Sequence, residues 1–145
     1  MFKHIFVSTD GSRCGNAALP LAARLAATCG AQVTVAYVVP DVIGVYEGPY
    51  TRDYAHEYAQ AQAYGRDVLR SAAAEIGAGA KTLLLDGRAS NVTNCLLEAA
   101  RAQGADVIVM STHGRGGLVH LLLGSVAEGI LRHASVPVLL VRAET

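Results

Sequence analysis

The chain has 145 residues, of which 52% are hydrophobic and 17% are charged. A chain of this length and composition buries a sizeable core without disulfides or a metal, which excludes general disorder and predicts one domain over residues 1–145. Twelve basic residues balance twelve acidic ones, and Lys3 and Lys81 are the only lysines. Because general nucleic-acid binders carry a basic excess, we expect no nucleic-acid partner.

We expect a cytoplasmic protein that does not enter a membrane. The first residues carry one lysine and an apolar run that is far too short for a signal peptide. No stretch approaches the ~18 consecutive apolar residues of a membrane-spanning helix. Cys14, Cys29 and Cys95 are widely spaced and form no C-x-x-C pair, which predicts free thiols rather than a disulfide or a zinc site.

Hydrophobic periodicity predicts strands that alternate with helices. In chain order, the predicted elements are a strand over 5–8, a helix over 17–29 that Gly30 ends, a strand over 33–39, a loop over 40–52, a helix over 53–76, a strand over 82–85, a helix from Ser90 or Asn91 to Gln103, a strand over 107–110, a helix over 126–133 and a strand over 136–141. This alternation predicts an α/β fold with one open, five-stranded, parallel, doubly wound sheet and helices on both faces, and we expect the strand order 3-2-1-4-5.

Two polar loops leave neighbouring strands of this predicted sheet. Ser8, Thr9 and Asp10 end the first strand and begin its loop, and a glycine-rich stretch, 111–125, follows the fourth strand. Open α/β sheets bind ligands at the carboxyl ends of their strands, where the strand order reverses. We therefore expect both loops to open onto one crevice.

The glycine-rich stretch is suited to bind phosphate. Glycines let backbone N–H groups approach an anion closely, and Gly124 and Ser125 lie at the start of a predicted helix, whose free N–H groups and dipole attract negative charge. The Ser125 hydroxyl adds a further donor. The alternative is a loop whose glycines serve left-handed turns, with Ser125 acting only as a helix N-cap.

Three common nucleotide-binding or hydrolase patterns do not occur in the sequence. No glycine precedes a lysine that is followed by serine or threonine, which excludes a P-loop. A G-x-G-x-x-G fingerprint that began at Gly114 would need glycine where Val119 stands. His113 has no G-x-S-x-G elbow as a partner, and the other histidines lack metal-ligand spacing. We therefore predict no catalytic residue and no metal site.

The motifs as a set resemble the universal stress protein family over nearly the whole chain. They are S-T-D-G-S after the first strand, the spacing of the glycine-rich stretch, and the ending R-H-A-S-V-P-V-L-L-V-R. The ATP-binding branch of that family is described by G-x2-G-x9-G-[ST], whose positions fall on Ser111, Gly114, Gly124 and Ser125. Serine thus replaces the first glycine and adds a Cβ where the loop would approach a triphosphate.

The resemblance implies ATP, with or without Mg²⁺, as the ligand. It implies that Asp10, preceded by Ser8 and Thr9, borders the adenosine and accepts a hydrogen bond from a ribose hydroxyl, and that Val38 meets the adenine through its backbone. The alternative for Asp10 is a capped turn without a ligand role. The resemblance further implies that ribose and phosphates are surrounded by Met110, Ser111, Gly114, Gly124, Ser125 and Val126.

Arg115 and the last strand complete the candidate functional features. The Arg115 guanidinium is suited to hold a phosphate through two hydrogen bonds, and its alternative role is that of a solvent-exposed arginine. The apolar strand from Val136 to Val141 lies at a sheet edge in the predicted order, where an unprotected edge pairs with another chain. The resemblance likewise implies a homodimer through this strand, and the alternative is burial within a monomer.

We therefore predict a homodimeric, ATP-binding universal stress protein that regulates a stress response through unknown protein partners, with little or slow hydrolysis. The alternative is a nucleotide-free interaction module of the same family, which the serine at position 111 favours. An enzyme of the related adenine-nucleotide α-hydrolase group is disfavoured, because so short a chain leaves little sequence for a second substrate pocket.

Overall fold

The structure, a computed structural model, describes residues 1–42, 53–114 and 123–143. A short 3₁₀ turn, Gly15–Ala18, precedes the first α-helix. None of the described helices is long and apolar enough to cross a membrane. The strands are β1 (His4–Ser8), β2 (Gln32–Val39), β3 (Lys81–Asp86), β4 (Val107–Ser111) and β5 (Val138–Val141), and the helices are α1 (Leu19–Cys29), α2 (Tyr54–Ile76), α3 (Val92–Ala102) and α4 (Ser125–His133).

The five strands form one parallel sheet in the order β3-β2-β1-β4-β5. At its centre, Ile5 of β1 is in register with Val33 of β2 on one side and Val107 of β4 on the other. The strand order reverses between β1 and β4, which places the carboxyl ends of these two strands side by side. The predicted fold class and strand order are therefore confirmed.

Side chains of successive strand residues point to opposite faces, so the sheet has two apolar layers. On β1, Ile5 and Val7 pack into the layer beneath α1 and α2, whereas Phe6 packs into the layer beneath α3 and α4. All three side chains are fully buried. Burial of each contributes roughly 1.5–3 kcal/mol. These two layers explain why the central strands read as continuous apolar runs.

Most predicted element boundaries differ from the structure by no more than one residue, but two elements begin two residues late, in both cases beside a proline. The helix expected over 17–29 begins at Leu19, because Pro20 lacks an N–H and suits the first helical turn. The strand expected over 136–141 begins at Val138, because Pro137 cannot donate to β4. The Pro137 carbonyl still accepts a hydrogen bond from the Ile108 N–H at 3.0 Å.

We call the two ends of the parallel strands the amino edge, where the strands begin, and the carboxyl edge, where they end. At the amino edge, Asp106 joins the starts of β1 and β4. Its carboxylate accepts hydrogen bonds from the backbone N–H groups of Lys3, at 2.8 Å, and His4, at 3.2 Å. These bonds, led by that of Lys3, hold the pKa of Asp106 below its ordinary value. The opposite, carboxyl edge carries the candidate site.

Candidate functional site

A cavity of about 480 Å³ lies at the carboxyl ends of β1, β2 and β4. This volume is within the range of small-molecule sites. Arg115 lies outside the described residues. The cavity is lined by the other ten residues that the sequence analysis selected, namely Ser8, Thr9, Asp10, Val38, Met110, Ser111, Gly114, Gly124, Ser125 and Val126.

Asp10 is held by its own loop while it lines this cavity. Its Oδ1 atom accepts hydrogen bonds from the Ser12 N–H at 2.9 Å and from the Ser12 hydroxyl at 2.6 Å. This is the turn that the alternative interpretation of Asp10 expects. Because the turn also presents the carboxylate to the cavity, the structural role and a ligand role are compatible.

Two glycines, Gly15 and Gly114, leave the space that the Asp10 carboxylate occupies. A Cβ at Gly15 would overlap the Oδ1 atom, and a Cβ at Gly114 would overlap the Oδ2 atom. Neither Gly114 nor Gly124 has a positive φ. The left-handed turns of the alternative interpretation therefore do not explain these two glycines. At position 114, glycine is required because the backbone lies too close to the Asp10 carboxylate to leave room for a Cβ.

Ser111, at the first motif position, ends β4 and is 6% exposed. Its hydroxyl donates a hydrogen bond to the Gly15 carbonyl at 3.1 Å. The side chain that departs from the motif therefore ties the end of β4 to the 3₁₀ turn that follows β1.

The N-terminus of α4 borders the cavity without a side-chain cap. Gly124 is its N-cap residue, with extended backbone, and Ser125 is its first helical residue, so the alternative of Ser125 as N-cap is wrong. The Gly124 N–H donates to the Thr112 carbonyl at 2.7 Å, and a Cβ at Gly124 would lie 3.0 Å from that oxygen. The first N–H groups of a helix lack intrahelical partners and carry its positive partial charge. This end of α4 is therefore suited to an anion.

Val38 lies in β2 just beyond the end of its pairing with β1. The Thr9 N–H donates to the Ala36 carbonyl at 3.1 Å, whereas the Gly87 N–H donates to the Val39 carbonyl on the opposite side of β2. In a parallel strand, alternate residues direct their backbone groups to the same side. Val38 therefore directs its N–H and carbonyl as Ala36 does, past the end of β1 and towards the cavity.

The family model of the universal stress protein family matches residues 1–142. The chain belongs to the universal stress protein family. The family resemblance of the sequence motifs is thereby confirmed.

Relatives of this universal stress protein cover nearly the whole chain. It is 34% identical to a universal stress protein of Methanocaldococcus jannaschii over 145 residues, 98% of this chain and 83% of that protein. A crystal structure of a family member from Burkholderia pseudomallei is 33% identical with a TM-score of 0.74, covering 96% of this chain and 95% of that chain. The structure of the universal stress protein from Archaeoglobus fulgidus in complex with dAMP is 25% identical with a TM-score of 0.66, covering 95% of this chain and 96% of that chain.

Helix α3 gives the cavity of this universal stress protein an apolar wall that was not among the predicted site residues. Val92 and Leu96 line the cavity and lie four residues apart, on one face of the helix. That spacing is visible in the sequence, but its link to the site depends on α3 and α4 covering the same face of the sheet. The other lining residues outside the prediction are Gly15, Tyr37, Pro40, Thr112, His113, Leu123 and Ala127.

His113 is held against its own loop. Its Nδ1 atom lies 3.0 Å from the Thr112 hydroxyl oxygen, and both residues line the cavity. Among the residues that the structure describes, no group of three or more His, Cys, Asp or Glu side chains could hold a metal ion.

Proposed function

We propose that this universal stress protein binds ATP or a related adenine nucleotide in the cavity at the carboxyl edge and acts as a nucleotide-responsive regulator. The observation that carries the proposal is the uncapped N-terminus of α4 in the same cavity as the Asp10 carboxylate. The cavity thus combines an anion-attracting helix end with an acceptor for hydroxyl groups. A nucleotide carries both complementary groups, its phosphates and its ribose.

Charge sets the direction in which such a ligand would lie. The Asp10 carboxylate repels phosphate but accepts hydrogen bonds from neutral hydroxyl groups. Phosphates are therefore expected at Gly124, Ser125 and the first turn of α4, with the ribose at Asp10. The adenine is expected beside the apolar wall and the backbone of Val38. The complex of the Archaeoglobus fulgidus protein with dAMP supports an adenine nucleotide as the ligand class.

Mg²⁺ that accompanies ATP would be bound mainly by the phosphates and by water, because Mg²⁺ usually takes one or two protein carboxylates and keeps several waters. Asp10 is the carboxylate among the described lining residues of the cavity. We propose no hydrolytic step and expect hydrolysis, if measured, to be slow.

Titration calorimetry with ATP tests the proposed ligand. We expect heat of binding that saturates at or below millimolar nucleotide, and its absence at that concentration would overturn the proposal. The same experiment on Ser125→Asp places a carboxylate at the start of α4, where phosphate is expected. An acidic residue stabilises a helix N-terminus but repels phosphate, so we expect the affinity to fall by about thirtyfold or more without a lower melting temperature.

Ser125→Asn is the matched control, because asparagine has the shape of aspartate without its charge. We expect it to lose only a few-fold in affinity, as one hydroxyl donor is exchanged for an amide. Equal losses in the two variants would mean that no anion binds at this helix end.

We also propose that the protein is a homodimer that pairs through β5, the strand at one edge of the sheet. The Pro137 carbonyl accepts a hydrogen bond from the Ile108 N–H of β4, and the Val141 carbonyl accepts one from Thr112, the residue after β4. Because backbone direction alternates along a strand, the backbone groups of Leu140 point away from β4. They are thus available to a second chain.

Leu140→Pro removes an outward N–H and leaves the donors that face β4 in place. We expect this variant to elute as a monomer in size-exclusion chromatography with light scattering, while Leu140→Val remains dimeric. A dimeric Leu140→Pro variant, or a monomeric unmodified protein, would contradict pairing through β5.

A nucleotide-free interaction module is the second candidate function. The observation that favours it is the Ser111 hydroxyl, which is engaged with Gly15 rather than presented for a phosphate. Absorbance and mass spectrometry of the purified protein distinguish the two functions. Retained adenine nucleotide supports the nucleotide-binding function, whereas a nucleotide-free protein that also ignores added ATP supports the interaction module.

A further inference from the structure

A continuous set of hydrogen bonds links the end of β4 to the Asp10 carboxylate. The Ser111 hydroxyl donates to the Gly15 carbonyl at 3.1 Å, and the Gly15 N–H donates to the Ser12 hydroxyl oxygen at 2.9 Å. The Ser12 hydroxyl in turn donates to the Asp10 Oδ1 atom at 2.6 Å. Gly15 is therefore fixed on both its N–H and its carbonyl.

The position of Gly15 controls where the Asp10 carboxylate can lie. There is no room for even a Cβ between Gly15 and the Oδ1 atom, and Gly114 closes the opposite side at the Oδ2 atom. A shift of Gly15 would therefore move the carboxylate or open a gap beside it. Hydrogen bonds weaken steeply with poor distance and angle, so such a shift would weaken an Asp10 contact to a ligand.

The start of this set of bonds is rigid. Ser111 is buried, and its strand is in register with β5, where Ser111 pairs with Val141. Thr9, next to Asp10, is also buried and is bonded through its N–H to the Ala36 carbonyl. The Ser111 end of the link thus lies in the sheet, and the Asp10 end directly follows a buried residue that is bonded to β2.

We infer that Ser111 is a positioning residue, which orients Asp10 through Gly15 and Ser12 and thereby sets the preference of the site for a ribose that carries its hydroxyl groups. The inference rests on the proposed nucleotide-binding function. It assigns a role to the serine that replaces the first motif glycine: selectivity for the sugar and not contact with phosphate.

The test compares the binding of ATP with that of 2′,3′-dideoxy-ATP by titration calorimetry. The unmodified protein is expected to prefer ATP by about tenfold or more, the effect of losing hydrogen bonds to a charged acceptor. Ser111→Ala removes the first donor of the link. We expect it to reduce the preference to about threefold or less, mainly through weaker ATP binding.

Ser111→Gly gives the sharpest contrast, because it restores the glycine of the family motif. If the serine merely crowds a phosphate, glycine will tighten both nucleotides and keep the preference for ATP. Our inference expects the preference to fall as in Ser111→Ala. An unchanged preference in both variants would overturn the inference.

Ser12→Ala breaks the same set of hydrogen bonds at a half-buried site. It tests the inference if Ser111→Ala does not fold. We expect a similar loss of preference, and no further loss in the double variant, because both changes interrupt one path. Additive losses would overturn the link. Ser71→Ala, on the exposed face of α2, is the matched control and should keep both affinities.

Failure of the inference can be told from failure of the proposed function. If the unmodified protein does not bind ATP, both the proposed function and the inferred role of Ser111 are wrong. If it binds both nucleotides equally, or if Ser111→Ala and Ser12→Ala keep the preference for ATP, the inference falls while nucleotide binding stands.

Discussion

The amino and carboxyl edges, where the strands begin and end, each carry an aspartate that accepts hydrogen bonds from backbone N–H groups. The two carboxylates have different surroundings. At the amino edge, Asp106 bonds the backbone N–H groups of Lys3 and His4 and so joins the starts of two strands. At the carboxyl edge, Asp10 bonds Ser12 within its own loop. Asp10 lines the cavity of about 480 Å³, whereas Asp106 does not.

The two aspartates differ in which of their oxygen atoms accept bonds from neighbouring residues. Both oxygens of Asp106 accept from the backbone, one from each residue. At Asp10 the bonds from Ser12 fall on one oxygen, Oδ1. The same chemical group therefore joins two strands at one edge and lines the cavity at the other. Substitutions should separate these two roles.

The largest effect is expected at the glycines that pack against Asp10. Gly114→Ala places a Cβ where the Oδ2 atom lies, and Gly15→Ala does the same at the Oδ1 atom. We expect each variant to lose about fiftyfold or more in ATP affinity, because the carboxylate must move and because both glycines line the cavity that the ligand is expected to fill. Titration calorimetry measures the loss.

Gly79→Ala is the control for this prediction. Gly79 has a φ of 95° and open space around its Cβ position, far from the cavity. Its replacement costs stability, on the order of 1 kcal/mol, through backbone strain. Binding of ATP should be unchanged. Equal ATP affinity in Gly79→Ala and Gly114→Ala would show that the packing of Asp10 is irrelevant to the ligand.

The next largest effect is expected when the same substitution is made at both edges, as Asp10→Asn and Asp106→Asn. An asparagine at position 10 keeps an oxygen for Ser12 but presents an amide donor in place of the second acceptor. We expect about tenfold weaker ATP binding with little change in melting temperature.

At position 106, by contrast, two N–H groups need two acceptors, and asparagine supplies one. We expect Asp106→Asn to lose about 1 kcal/mol of unfolding free energy and to bind ATP normally. Chemical denaturation and calorimetry on both variants measure the pair. The comparison between the two edges fails if Asp106→Asn weakens binding as much as Asp10→Asn does.

The smallest effect concerns acid. Because the folded-state pKa of Asp106 lies below its ordinary value, its contribution to stability is complete above the unfolded pKa, near 3.8, and is lost as the pH falls through the folded pKa. The stability difference between the unmodified protein and Asp106→Asn should therefore shrink from about pH 6 to about pH 3. Denaturant melts across this range test the sign, and a difference that grows in acid would contradict it.

The sequence predicted the fold well because its signals are local and repeated. The apolar runs of β1, β2 and β4 and the glycines or prolines between elements define the alternation of strands and helices. The errors are local as well. Pro20 delays α1 and Pro137 delays β5, since each removes a backbone donor where regular pairing was expected.

The site was predicted less completely than the fold. Ten selected residues line one cavity, because loops at the carboxyl ends of neighbouring parallel strands must meet. Val92 and Leu96 were missed because helical spacing does not tell which part of the sheet a helix covers. The reason for Gly114 was also missed, since the prediction considered phosphate and left-handed turns rather than contact with Asp10.

By itself, the sequence determined the family and the alternation of strands and helices in a parallel, doubly wound sheet, because motif spacing and hydrophobic periodicity are visible along the chain. Only the tertiary structure decided how the motif residues work together. Ser111 and Gly15 are separated by 96 positions in the chain, yet one hydrogen bond joins them. Such contacts depend on side-chain positions within a packed sheet, and spacing along the chain carries no record of them.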